Sequence, residues 1–89
     1  MTIEYNKTFK KQFSNLQKNK KMLVRAAIAQ FRQDLETGNS TPHLRRHSLD
    51  GEWLGYDFIS AGGDLRAHFE VIGETIVFVA VGTHSQLYG

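Results

Sequence analysis

The chain has 89 residues, 40% of them hydrophobic, no cysteine and a formal net charge of +2. That length fits one domain with a modest core, residues 1–89 as a single unit, and the apolar content excludes a disordered chain. The missing cysteines exclude a disulfide scaffold, a thiolate metal site and a cysteine nucleophile, while the small positive charge admits an anionic partner without naming one.

Residues 2–5, Thr-Ile-Glu-Tyr, alternate as a short strand does. Met1 to Tyr5 carries no apolar signal core, and no stretch approaches the roughly 18 apolar residues of a membrane span. A cytoplasmic protein with no membrane partner is expected. Phe9, Phe13 and Leu16 then fall on one face of a short helix, with Asn6 as its N-cap. Lys18-Asn19-Lys20 reads as the break before a second helix. In that helix Val24, Ala27, Ile28, Phe31 and Leu35 form an apolar stripe, and Gly38 suits its end. The lysines of the first third, Lys7 to Lys21, read as solvated helix faces. Asn39 to Pro42 makes a loop that Pro42 keeps from being helical.

From Leu44 the pattern changes to period two. Trp53–Ile59 is predicted as one strand, and Ala61-Gly62-Gly63-Asp64 as a turn. Leu65, Ala67, Phe69 and Val71 alternate with Arg66, His68 and Glu70, which predicts a half-buried strand with one polar face. Gly73-Glu74 turns the chain into Thr75–Val81, apolar enough to be a central strand. The predicted fold is α+β in the order β-α-α-β-β-β, an antiparallel sheet with a two-helix hairpin on one face. Trp53, Leu54 and Phe58 are expected to pack in the core or against the helices.

No metal-ligand spacing is present, and Gly62-Gly63 lacks the lysine and helix of a phosphate loop. No metal or other cofactor is expected. Arg45, Arg46, His47, Arg66, His68, His84 and Tyr88 are nonetheless the residue types that phosphodiester cleavage needs. A 2′-hydroxyl attack requires a base, a cation beside the non-bridging oxygens and an acid at the leaving 5′-oxygen. Histidine serves either proton-transfer role near neutral pH, and arginine matches two phosphate oxygens. Strand alternation puts only Arg66 and His68 on a shared face. Nothing in the spacing gathers the others.

Two local stretches carry a resemblance. His47-Ser48-Leu49-Asp50-Gly51-Glu52-Trp53-Leu54-Gly55-Tyr56 resembles the H-x-L-x-G-x-W-x-G-Y segment of YafQ-type toxins in the RelE/ParE superfamily. Gly82-Thr83-His84-Ser85-Gln86-Leu87-Tyr88-Gly89 is similar to the G-T-H-x-x-L-F-G terminus of the same family. The resemblance implies the RelE-like fold and the toxin of a type II toxin–antitoxin pair. Such a toxin cleaves mRNA in the A site of the 70S ribosome without a metal. Its partners are a cognate antitoxin, the ribosome and mRNA, with operator DNA reached only through the antitoxin complex.

By position, the resemblance makes His47 and His84 the two motif histidines and Asp64 the acidic turn residue. It sets Tyr88 at the terminal aromatic, and Arg66 where RelE carries an arginine on its third strand. Arg45, Arg46 and His68 are candidate RNA contacts. Three positions depart from the pattern: Ser60 replaces a histidine, Leu65 a tryptophan, and Ala80 an arginine on the last strand. Two other readings share the fold, a ParE-like gyrase inhibitor and a degenerate toxin that only binds its antitoxin.

Overall fold

A computed structural model describes residues 1–88; Gly89, the last residue of the C-terminal motif, lies outside the described residues. The chain runs β1 (Thr2–Tyr5), α1 (Lys7–Ser14), α2 (Lys18–Thr37), β2 (His47–Ser48), β3 (Asp57–Gly62), β4 (Leu65–Ile72), β5 (Thr75–Thr83) and α3 (His84–Tyr88). Short 3-10 turns at Pro42–Leu44 and Gly51–Trp53 flank β2. The five strands are ordered β1-β5-β4-β3-β2.

Local chemistry sets the helix ends. Asn6 Oδ1 accepts the N–H of Phe9 at 2.8 Å, the N-cap that its position predicts. Gly38 closes α2 with its N–H on the Asp34 carbonyl. The break between the helices falls at residues 15–17 rather than at Lys18, which already opens α2. Pro42 does not end helical geometry but starts a 3-10 turn, where its missing N–H costs no bond. No helix among the described residues is long and apolar enough to cross a membrane.

Both helices cover one face of the sheet, α1 over β5 and α2 over β3 and β4. The core between the layers joins Phe9, Val24, Ile28 and Phe31 to Ile59, Leu65, Phe69, Ile76 and Phe78. Asp34, on a helix position that reads as solvated, is buried instead. It accepts Thr41 N–H at 2.8 Å, Thr41 Oγ1–H at 2.7 Å and Gln30 Nε2–H at 3.0 Å. These bonds, led by the Thr41 hydroxyl, hold its carboxyl below the usual aspartate range and tie the loop back to α2.

Three features differ from the sequence expectation. The β1–β5 pair is parallel, while β2–β3, β3–β4 and β4–β5 are antiparallel. Both helices and strands β2 to β4 lie between β1 and β5 along the chain, and β5 returns beside β1 in the same direction. The strand expected from Trp53 begins only at Asp57, because Gly51 and Gly55 adopt left-handed backbone (φ +64° and +93°) and fold residues 49–56 into a loop closed by Leu49 N–H on Tyr56 O. Finally, β5 is interior but β4 is central.

Candidate functional site

The face of the sheet away from α1 and α2 carries the chemistry, and a β-bulge decides which residues reach it. His68 pairs with Ala80 but Phe69 pairs with Phe78, so β5 holds one extra residue, Val79. Ile76 and Phe78 point into the core before the bulge and Val81 after it. Ala80 and Gly82 are thereby turned to the opposite face. Gln12 Oε1, from α1, accepts the Val81 N–H just past the bulge at 2.9 Å. The register then gives a continuous transverse row: His47 on β2, Phe58 on β3, His68 on β4 and Ala80 on β5. One residue pair along, Ser60 lies beside Arg66, which lies beside Gly82.

His68 is the centre of this face and has no exposed surface. The Trp53 ring meets it edge-on at 4.3 Å, Tyr88 closes a second side at 5.6 Å, and Phe58 a third at 6.5 Å. Burial lowers its pKa to about 4, assisted by the positive charges of Arg66 and His84. The imidazole is neutral near pH 7. Trp53, Leu54 and Phe58 are therefore not core residues. Trp53 roofs His68, Leu54 is 74% exposed, and Phe58 lies under the Arg66 guanidinium at 4.3 Å.

The tail folds back over the sheet as α3, an element that the sequence reading missed although its signal was there. Thr83-His84-Ser85-Gln86 is a capping box. Gln86 N–H donates to Thr83 Oγ1 at 3.3 Å, and Thr83 N–H donates to Gln86 Oε1 at 2.8 Å. The return is tight: a Cβ on Gly82 would lie 2.9 Å from Gln86 Oε1. Trp53 Nε1–H reaches the Leu87 carbonyl at 3.4 Å and links the loop to the tail. His84 and Tyr88 occupy successive turns of α3, and their rings stack at 4.4 Å.

Arg66 lies between two aromatic rings, 4.3 Å from the Phe58 centroid and 5.9 Å from that of Tyr88. Among the described residues no carboxylate pairs with it. Its fork is thus fixed by stacking, with its charge available to an anion. Arg66, His68, His84 and Tyr88 accordingly form one cluster. His47 stands at its edge, exposed, with Nδ1 against the Ser48 carbonyl at 2.6 Å and its ring 6.4 Å from Phe58. Two strand spacings, about 10 Å, separate the His47 and His68 backbones, with Phe58 on the strand between them.

The remaining candidates are not in this cluster. Asp64 is exposed in the β3–β4 turn, at the sheet end where Leu65 faces Thr83 and α3 begins. Arg45 is exposed with a left-handed backbone (φ 51°). Arg46 belongs to the other face: its guanidinium lies 5.3 Å from both the Phe31 and Phe69 rings and pairs with Asp57 at 3.6 Å. Its contacts are those of a packing residue. Among the described residues no three histidine, aspartate or glutamate side chains converge.

A family model described as the bacterial toxin of type II toxin–antitoxin systems, YafQ, matches residues 1–89. YafQ from E. coli strain BL21(DE3) superposes with a TM-score of 0.75 at 20% identity, covering 98% of this chain and 97% of that one. YafQ in the E. coli DinJ–YafQ complex gives 0.69 at 22% identity, covering 98% and 97%. A YoeB/ParE toxin from Agrobacterium tumefaciens gives 0.71 at 15% identity, covering 94% and 99%. These structural likenesses establish the shared α+β toxin fold. A search of curated protein sequences returned no match.

Proposed function

The chain belongs to the YafQ family of toxins from bacterial type II toxin–antitoxin systems, and from that premise we propose that it is an endoribonuclease that cleaves mRNA in the ribosomal A site. The observation that carries this reading is the clustering of Arg66, His84 and Tyr88 on one face, with His47 two strands from His68 on the same face.

In the proposed reaction the 2′-hydroxyl of the nucleotide attacks the adjacent phosphorus. A base takes its proton, the 5′-oxygen leaves with a proton from an acid, and the upstream fragment ends in a 2′,3′-cyclic phosphate while the downstream fragment begins with a 5′-hydroxyl. His84 and His47 share the base and acid roles. Arg66 faces the non-bridging oxygens, where charge builds in the transition state. Its stacking between Phe58 and Tyr88 supports this, because a pre-oriented fork loses little freedom on binding phosphate. Tyr88 offers a ring on which a base can stack beside His84. Arg45, exposed two residues before His47, is proposed to contact the RNA backbone, and Asp64, in the turn beside the start of α3, is proposed as a catalytic carboxylate.

Ala80 contributes no charge where the family pattern carries arginine, so the central cation of this site is Arg66. An Arg66→Ala variant, assayed on purified 70S ribosomes programmed with mRNA, should lose cleavage by about a hundredfold. Undiminished cleavage would remove Arg66 from the mechanism.

The antitoxin is proposed to engage the helix side. A groove of about 620 Å³ lies there, floored by Tyr5, Phe9, Phe13 and Ile28 and lined by Lys10, Arg25 and Arg32. An apolar floor with three exposed cations fits an acidic amphipathic segment. That leaves the catalytic face to be silenced indirectly, by keeping the toxin from the ribosome.

A further inference from the structure

The only buried side-chain nitrogen or oxygen without a partner among the described residues is Nδ1 of His68. A leucine or phenylalanine would fill this space without leaving a polar atom dry, since unpartnered buried polar groups destabilise a fold. We propose that His68 is a positioning residue for Tyr88: its Nε2–H donates to the phenolic oxygen, so that the tyrosine's own O–H points outward to hydrogen-bond the scissile phosphate of the RNA. The RNA part of this proposal rests on the endoribonuclease reading above.

The tautomer follows from the surroundings. A neutral imidazole carries one N–H, and a buried N–H without an acceptor is costlier than a bare lone pair. Nε2 is the ring atom with a partner, the Tyr88 hydroxyl at 3.5 Å. The proton therefore sits on Nε2 and the lone pair on Nδ1. At 3.5 Å the bond is at the limit of its reach, and a small rotation of Tyr88 when a nucleotide seats would shorten it.

The charges around the ring keep it in this form. Arg66 approaches along β4, and His84 and Tyr88 from α3; Phe58 on β3 and Trp53 from the loop bring no charge. Arg66 and the His84 ring, and no carboxylate, face the imidazole, and its low pKa agrees with that setting. His68 thus serves as a fixed hydrogen-bond donor at neutral pH, while proton transfer falls to His84 and His47 and the hydroxyl that His68 aims holds the phosphate. The Tyr88 ring is held in turn by His68 beneath it and His84 stacked on it.

Two measurements test this. Long-range ¹⁵N–¹H correlation spectra of the intact protein should show His68 as the Nε2–H tautomer, without titration between pH 5.5 and 8. The Nε2 resonance should move in Tyr88→Phe. An Nδ1–H tautomer, titration near 6.5, or indifference to Tyr88→Phe would overturn the hydrogen bond, whether or not the protein cleaves RNA.

In the ribosome assay His68→Gln keeps an N–H donor and should stay within about threefold of wild type, whereas His68→Leu should lower kcat about tenfold or more with KM unchanged. Equal activity of the two variants would overturn the positioning role. If His68→Leu does not fold, the comparison passes to Tyr88→Phe, which must show a similar kcat loss and no further loss when combined with His68→Gln. No cleavage by the wild type would refute the endoribonuclease reading and leave the spectra to judge the hydrogen bond.

Discussion

Mild acid should destabilise this fold through one side chain. His68 titrates near 4 when folded, against 6.5 for an ordinary histidine, because burial and the Arg66 and His84 charges disfavour its protonated form. The unfolded chain therefore binds one more proton than the folded chain between those values, and stability rises with pH there. The contribution is full above pH 6.5 and falls steadily as pH drops toward 4. At about 1.36 kcal/mol per pH unit the loss reaches up to roughly 3 kcal/mol, a large share of the 5–15 kcal/mol typical of a domain. For a chain of this size that corresponds to a fall in Tm of roughly 10–25 °C. Asp34 does not confuse the window. Its carboxyl is held below the aspartate value of 3.8, so its contribution is lost only as pH falls below that value. Thermal melts followed by circular dichroism from pH 7.5 to 4 should show the fall in wild type and a much flatter profile in His68→Leu. Parallel profiles would refute the assignment.

Three further outcomes are expected. Gln86→Ala removes one half of the capping box and should lower stability by about 1 kcal/mol while reducing cleavage more than stability explains, because α3 carries His84 and Tyr88; chemical melts and ribosome assays on one preparation check both. Arg46→Ala should cost about 0.5–1 kcal/mol through its contacts with Phe31 and Phe69 and leave cleavage intact, the reverse of Arg66→Ala. Arg25→Glu combined with Arg32→Glu should abolish co-purification with a co-expressed acidic antitoxin and spare cleavage, since both line the helix-side groove.

The sequence made the local parts legible and hid the parts that depend on folding back. Asn6, the α2 stripe and the alternation of Leu65, Ala67 and Phe69 are local signals, and the structure follows them. The parallel β1–β5 pair is a contact between chain ends, which periodicity does not report. The extra residue at Val79 flips the faces of β5, so Ala80 joins the site row although simple alternation from Ile76 would bury it in the core. Alternation sets His68 on the same face as Arg66, as a candidate RNA contact, but does not report that it is buried there. Its burial comes from Trp53 and Tyr88 closing over it, two residues distant in sequence. One miss was avoidable: Thr83-His84-Ser85-Gln86 states its helix start.

If this face cleaves RNA by attack of the message's own 2′-hydroxyl, a single modified substrate shows it directly. Ribosomes are programmed with an mRNA carrying a single 2′-deoxynucleotide immediately 5′ of the cleaved bond, beside an all-ribose control. The account predicts that the control is cut to a 2′,3′-cyclic phosphate and a 5′-hydroxyl, and that the substituted message survives at that bond. Cleavage of the deoxy message at the same bond, a 5′-phosphate end, or an intact control would contradict it.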